Sequence, residues 1–162
     1  MRTSNLFVFL LLIFAVSCGK SGAGAGQLVE VYRFKVVTGA GPCKIDTARA
    51  ELADTPLIGN NSIKAYHQKK YEFLISNEAG ERINGLMDNE PLALTVDKEL
   101  IYYFVNKPIY SSSICPYHIS MDHASLNKLR MYIVNISPAT SIPDQRNDSR
   151  LINALAAQRK IK

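Results

Sequence analysis

The run Leu100-Ile101-Tyr102-Tyr103-Phe104-Val105 decides the fold. Six consecutive apolar and aromatic side chains without a polar alternation are typical of a short strand that is covered on both faces. Upstream, Leu92, Leu94 and Val96 alternate with other side chains and so line one face of a neighbouring strand. The polar residues 97–99 between the two runs predict a tight turn. We therefore expect this pair of strands to form the centre of a β-sheet.

Further strands are predicted on both sides of this pair, at residues 28–37, 70–76, 81–83 and 129–134. In the first of them the apolar phase slips between Val31 and Tyr32, which predicts a bulge or a strand buried on both faces at one end. Asn77-Glu78-Ala79-Gly80 predicts a hairpin turn into the strand at 81–83. Residues 48–52 fit a short strand or a helical turn equally well. Residues 106–127 have no clear period.

The end of the chain predicts one short helix over residues 149–160. Asp148 is a suitable N-cap, and Leu151, Ile152 and Leu155 lie on one side of the helix. Five to seven short strands, frequent turns and one helix predict a mainly β fold. We expect a small antiparallel β-sandwich or barrel-like domain with a short C-terminal helix.

Composition and charge place the chain among globular proteins. Apolar residues make up 47% of the 162 residues and charged residues 20%, which are not the values of a disordered chain. The net charge of +5 is uneven, because residues 146–162 carry +4 while residues 18–145 hold 13 basic and 13 acidic side chains. A neutral body argues against a nucleic-acid-binding surface, so we expect no nucleic-acid partner.

The N-terminus carries an export signal. Arg2 precedes the apolar run Leu6 to Val16, which is too short for a spanning helix of about 20 residues. Small residues then lead to a cysteine in Ala15-Val16-Ser17-Cys18. A basic start, a short apolar core and small residues before a cysteine resemble the signal peptide and lipobox of bacterial lipoproteins. An ordinary secretory signal that happens to contain Cys18 is the alternative.

The resemblance implies that Cys18 receives a diacylglyceryl thioether, that residues 1–17 are removed and that the new N-terminus is acylated. Two or three acyl chains hold a protein on a bilayer, where one chain does not. The implied location is the cell envelope, with the protein lipid-anchored to a bacterial membrane and facing the periplasm or the cell surface. The implied partner is the lipid bilayer, reached through acylated Cys18.

The signal and the composition divide the chain into four parts. Residues 1–17 are the signal peptide, and residues 18–27 hold the lipidated cysteine and a flexible tether rich in glycine. Residues 28–145 form the β-rich domain, and residues 146–162 form a basic C-terminal helix or tail. We expect this last part to be a secondary contact outside the core, with its cations near anionic head groups.

Cys43 and Cys115 remain after lipidation of Cys18. Export brings them into a compartment where disulfides persist, so we expect a Cys43–Cys115 bridge. Two unpaired thiols are the alternative.

Cys115, His118, Asp122 and His123 form the one cluster with metal-ligand chemistry, because thiolate and imidazole suit zinc. Their spacing matches no known zinc-binding pattern, and Cys115 is also expected to form the disulfide with Cys43. A polar loop with solvated histidines is the simpler interpretation, so we expect no metal, no cofactor and no catalytic residue.

The sequence predicts a membrane-anchored bacterial envelope lipoprotein with a non-enzymatic binding or structural role and a partner protein in the envelope. One alternative is a metal-dependent enzyme or metal binder that uses the Cys115/His118/Asp122/His123 loop. A surface adhesin is the other, and it differs from the first prediction only in the face of the membrane that it occupies.

Overall fold

The computed structural model describes residues 27–36, 45–108, 110–112, 115–116, 118–133 and 142–162. The elements in these ranges are strands β1 (Val29–Val36), β2 (Glu51–Leu52), β3 (Ile63–His67), β4 (Glu72–Ile75), β5 (Pro91–Val96), β6 (Glu99–Asn106), β7 (Ile119–Ser125) and β8 (Lys128–Ile133), with helices α1 (Asn77–Asn84) and α2 (Ser149–Ala157). The strands form a single sheet in the order β2-β1-β5-β6-β7-β8-β4-β3. The predicted mainly β fold with a short C-terminal helix is confirmed.

The predicted central strand is β6, which lies fourth in the eight-stranded order. Phe104 and Val105 point to opposite faces of the sheet, and both are fully buried. The double burial that the apolar run predicts is therefore confirmed. The turn before β6 is also confirmed, because Asp97 and Lys98 have φ values of 51° and 66° between β5 and β6.

The pairing of β6 with β7 is parallel, and every other strand pair in the described ranges is antiparallel. After a long connection, β7 begins beside the C-terminal end of β6, where Ile119 pairs with Phe104, and runs in the same direction. Strand β7 itself lies in the stretch where the sequence predicts no element. Its alternation brings Ile119 and Met121 to the core face and Ser120 and Asp122 to the other face.

The two ends of the sheet are linked by the segment that precedes β3. Leu57 N donates to Val31 O at 2.8 Å, and Val31 N donates to Ile58 O at 2.9 Å, so this segment pairs with β1. It then continues through a 3-10 helix (Asn60–Ser62) into β3 at the far end of the strand order.

Helix α1 replaces the hairpin turn and the strand predicted for residues 77–83, and that prediction is wrong. Ser76 is the N-cap, with its Oγ accepting a hydrogen bond from Ala79 N at 3.3 Å. Ala79, Gly80 and Ile83 are all buried. Ile83 lies one helical turn after the adjacent pair, so a helix brings all three to one face, which a strand would not. The Asn77-Glu78-Ala79-Gly80 stretch consists of residues that are common in turns, and the helical spacing of the buried side chains overrides this local preference.

Helix α2 begins after the predicted cap, because Asp148 accepts a hydrogen bond from Arg150 N at 2.9 Å. Its apolar side belongs to the core, with Leu151 and Leu155 at 0% exposure. The expectation that this segment lies outside the core is therefore wrong, since its leucines fill the sheet's inner face at β1 and β5. Neither helix in the described ranges is long and apolar enough to cross a membrane.

We predict that Gly80→Ala destabilises the protein. A methyl group at this position would overlap the backbone carbonyl of Leu126 in the β7–β8 turn, and backbone atoms cannot move aside locally. The free energy of unfolding should fall by about 1–3 kcal/mol, as for other overpacked sites. Urea denaturation measures the change.

The matched control is Gly85→Ala at the C-cap of α1. Gly85 has a φ of −83°, and an added Cβ would lie 3.7 Å from Arg82 O, an ordinary contact. We expect this variant to stay within about 0.5 kcal/mol of the parent protein. Equal losses for the two variants would refute the close packing of α1 on the turn.

Candidate ligand-binding cleft

The predicted metal cluster is not assembled in the fold. Asp122 and His123 are neighbours on β7 and so point to opposite faces of the sheet. The His118 ring packs against Tyr103 with centroids 5.4 Å apart, and its Nδ1 lies 2.7 Å from Pro116 O. Within the described ranges, no three side chains of histidine, cysteine, aspartate or glutamate lie where they could share a metal ion.

Cys115 is the one cysteine among the described residues. Cys115 is buried at 1% exposure, with its Sγ 3.3 Å from Asn89 Oδ1. Cys18 and Cys43 lie outside the described residues, so lipidation and the Cys43–Cys115 bridge remain predictions.

Asp122 is nevertheless the centre of a polar site. It faces Arg130 across the β7–β8 ladder, and the guanidinium donates to its Oδ2 through Nε at 3.1 Å and Nη2 at 2.6 Å. These bonds raise the pKa of Arg130, and Asp122 itself is only 7% exposed. Its second oxygen, Oδ1, is buried and accepts no hydrogen bond from any described residue. Such an acceptor carries a desolvation cost that a donor would remove.

Asp122 and Arg130 line a cleft of about 600 Å³. Three further parts of the chain complete its wall: the β3–β4 turn, the connection after β6 and the segment before α2. Their lining residues are Lys70, Tyr71, Lys107, Pro108, Ser111 and Arg146, together with Met131 and Tyr132 from β8. The cleft therefore brings together positions that are far apart in the sequence.

Arg146 is fixed in the wall by four contacts. It donates to both carboxylate oxygens of Asp144 at 2.8 and 2.7 Å, and to Met131 O at 3.2 Å. Its guanidinium carbon lies 3.7 Å from the centroid of the Tyr71 ring, within cation–π distance. The guanidinium lowers the pKa of Asp144, so this pair stays charged through the neutral range.

Lys107 forms a second fixed charge in the wall, with a side chain that is only 7% exposed. Its Nζ donates to Asp88 Oδ1 at 3.2 Å and to Ser111 Oγ, and Ser111 Oγ in turn donates to Asp88 Oδ2. Lys107 and Ser111 therefore share the Asp88 carboxylate, and these hydrogen bonds fix the three groups relative to one another.

The charges of the cleft are nearly balanced. Lys107, Arg130 and Arg146 each contact a carboxylate, while exposed Lys70 has none within ion-pair distance among the residues that the structure describes. Within the part of the chain that the structure describes, neither a histidine nor a cysteine lines the wall. A balanced set of fixed donors and acceptors suits a polar ligand with both kinds of hydrogen-bonding group better than it suits a polyanion.

Of the cleft residues, sequence reasoning singled out Asp122 and gave it the wrong partners. Arg130 lies eight positions later, but an uninterrupted hairpin around Leu126 and Asn127 would pair it with His123. A register shift between Asp122 and Ser125 brings Asp122 opposite Arg130 instead. Lys107 and Arg146 carry no local signal, because only the crossover connection and the docking of α2 bring them to this site.

Comparison with known proteins yields no relative. The chain matches no protein-family model, and no functionally characterised protein or solved structure shows significant similarity to it.

We predict an asymmetry between the two partners of the Asp122–Arg130 pair. Arg130→Met would leave a buried carboxylate without donors, whereas Asp122→Asn would leave only Arg130, whose side chain is 56% exposed and can be hydrated. We expect Arg130→Met to lower the free energy of unfolding by about 2 kcal/mol, a value reduced for this exposure. Asp122→Asn should lower it by less than about 1 kcal/mol.

Urea denaturation at neutral pH measures both changes. The control is the double variant Asp122→Asn/Arg130→Met, which should resemble Asp122→Asn alone because no buried charge remains. A larger loss for Asp122→Asn than for Arg130→Met would contradict the assignment of Asp122 as the buried partner.

Proposed function

We propose that this protein is a lipid-anchored lipoprotein of the bacterial cell envelope with a non-enzymatic binding role. The observation that carries the proposal is the lipobox at Cys18, followed by eight residues of which four are glycine. Its folded part begins with β1 at Val29, and Gln27 and Leu28 before it are exposed. This order of signal, cysteine, tether and domain is the one expected of an anchored protein.

A binding role agrees with the chemistry of the cleft. Lys107, Arg130 and Arg146 are fixed in ion pairs, and Ser111 is held by hydrogen bonds to Lys107 and Asp88. Fixed donors and acceptors recognise a ligand without reorganisation, which is an advantage for binding. We propose a polar ligand that offers a hydrogen-bond donor to Asp122 and an acceptor to Lys70.

We expect Cys18→Ser to abolish lipid attachment and to release the protein from the membrane. Radiolabelled palmitate incorporation and membrane fractionation in a bacterial host measure the two effects. Ser17→Ala is the matched control, because it keeps a small side chain beside the cleaved bond and should be lipidated normally. A Cys18→Ser protein that is still processed and still sediments with membranes would contradict the proposal.

A Cys43–Cys115 bridge is the second part of this proposal, and it is supported by the contacts of Tyr103. Burial raises the pKa of the Tyr103 hydroxyl, and a hydrogen bond from the backbone of Ile45 opposes this rise. The other side of the same ring packs on His118. Ile45 follows Cys43 by two residues and His118 follows Cys115 by three, so both cysteine-bearing segments converge on one side chain.

Peptide mapping without reduction should recover Cys43 and Cys115 in one linked species. Cys43→Ser, Cys115→Ser and the double variant should each lower the free energy of unfolding by the same amount, about 4 kcal/mol for a loop of this length. The losses should be equal because either substitution removes the whole bridge. Alkylation of both cysteines in the unreduced folded protein would contradict the Cys43–Cys115 bridge.

A further inference from the structure

The chain enters the folded domain between three elements that are distant in sequence. Gln158 at the end of α2 donates from Nε2 to Gln27 O at 2.7 Å. Leu28 and Asp97 exchange hydrogen bonds of 2.7 and 2.8 Å, which brings the β5–β6 turn to the same point. Val29 N donates to Asn60 Oδ1 at 3.0 Å, so the 3-10 helix lies there as well.

Each of these elements presents cations where the chain enters. Lys98 follows Asp97 in the β5–β6 turn, and Arg159 and Lys160 follow Gln158. Lys160 Nζ donates to Asn60 O at 2.6 Å, and Lys64 Nζ donates to Asn61 O at 2.8 Å. We call this surface the tether face, defined by Lys64, Lys98, Arg159 and Lys160.

The cations of the tether face are not neutralised within the described ranges. None of the four forms an ion pair with a carboxylate there. Asp97 adds one acidic side chain beside these four cations, and its carboxylate accepts a hydrogen bond from Leu28 N. Burial lowers the pKa of Lys160, and the nearby charge of Lys64 lowers it further.

We propose that the tether face lies on the anionic surface of the membrane to which the protein is anchored. This inference rests on the proposed lipid anchor, which would keep the tether face close to the bilayer. Eight residues separate Cys18 from Gln27, and a glycine-rich sequence of this length predicts an end-to-end distance on the order of 15 Å. Over such a short distance, cations on the near surface attract anionic head groups and orient the domain.

The orientation has a consequence for the cleft. Lys98 precedes β6 and Lys107 follows it, and a strand of eight residues is about 27 Å long. The β3–β4 turn with Lys70 likewise lies at the opposite end of β3 from the 3-10 helix. A domain resting on its tether face therefore holds the cleft away from the membrane, open to a ligand in the aqueous compartment.

Vesicle binding of a chain without acyl groups tests this proposal independently of the lipid anchor. The chain of residues 18–162 carrying Cys18→Ser is mixed with phosphatidylcholine vesicles, with or without phosphatidylglycerol, at low and at high salt. We expect sedimentation only with the anionic vesicles at low salt. Lys64→Gln/Lys98→Gln should weaken this binding about twenty-five-fold, since each cation near an anionic surface contributes about fivefold.

The control is Lys35→Gln/Lys69→Gln, which removes the same charge at the far ends of β1 and β3 and should bind like the parent. Equal weakening by both double variants would show attraction by net charge alone and overturn the proposal. Failure of the parent chain to bind anionic vesicles would also overturn it. Loss of palmitate labelling bears only on the anchor, so failure of the two proposals is distinguishable.

Discussion

The burial of β6 on both faces is the constraint on which the rest of the structure depends. On the core face, Tyr102 and Phe104 pack with their rings 6.2 Å apart, and helix α2 completes the same core. Burial is complete enough that the Tyr102 hydroxyl finds no hydrogen-bond partner among the described residues and has a strongly raised pKa. On the other face, Val105 is fully buried and Tyr103 is half-buried under connecting segments. The sheet alone does not cover this strand.

The connection after β6 contributes to covering the second face. Its residue His118 packs on Tyr103, and the chain then continues as β7, parallel to β6. The parallel return places the polar residues of β7 beside Arg130 of β8 and next to the start of the same connection at Lys107. The cleft is thus a by-product of covering the central strand: the connection that shields β6 also supplies one of its walls.

The sequence predicted those elements whose signal is local. Strands β5 and β6, their turn and the Asp148 cap of α2 follow from runs of six to twelve residues. Helix α1 was missed because its cap, Ser76, and its buried Ile83 lie seven positions apart on either side of a turn-like stretch. Strand β7 was missed because Ser120 and Asp122 are polar and yet buried, which only their neighbours across the sheet explain. The cleft could not be predicted from local sequence patterns, because the connection after β6 and the docking of α2 bring its walls together.

The cleft and the tether face lie at opposite ends of β6, and this separation keeps their electrostatic effects independent. Residues at the start of β6 meet the point where the chain enters the domain, and those after its end contribute to the cleft. A rigid strand buried on both faces keeps these regions a fixed distance apart. Electrostatic attraction at one end can then orient the domain without altering the ion pairs at the other, because about 27 Å exceeds the screening length of about 8 Å at physiological salt.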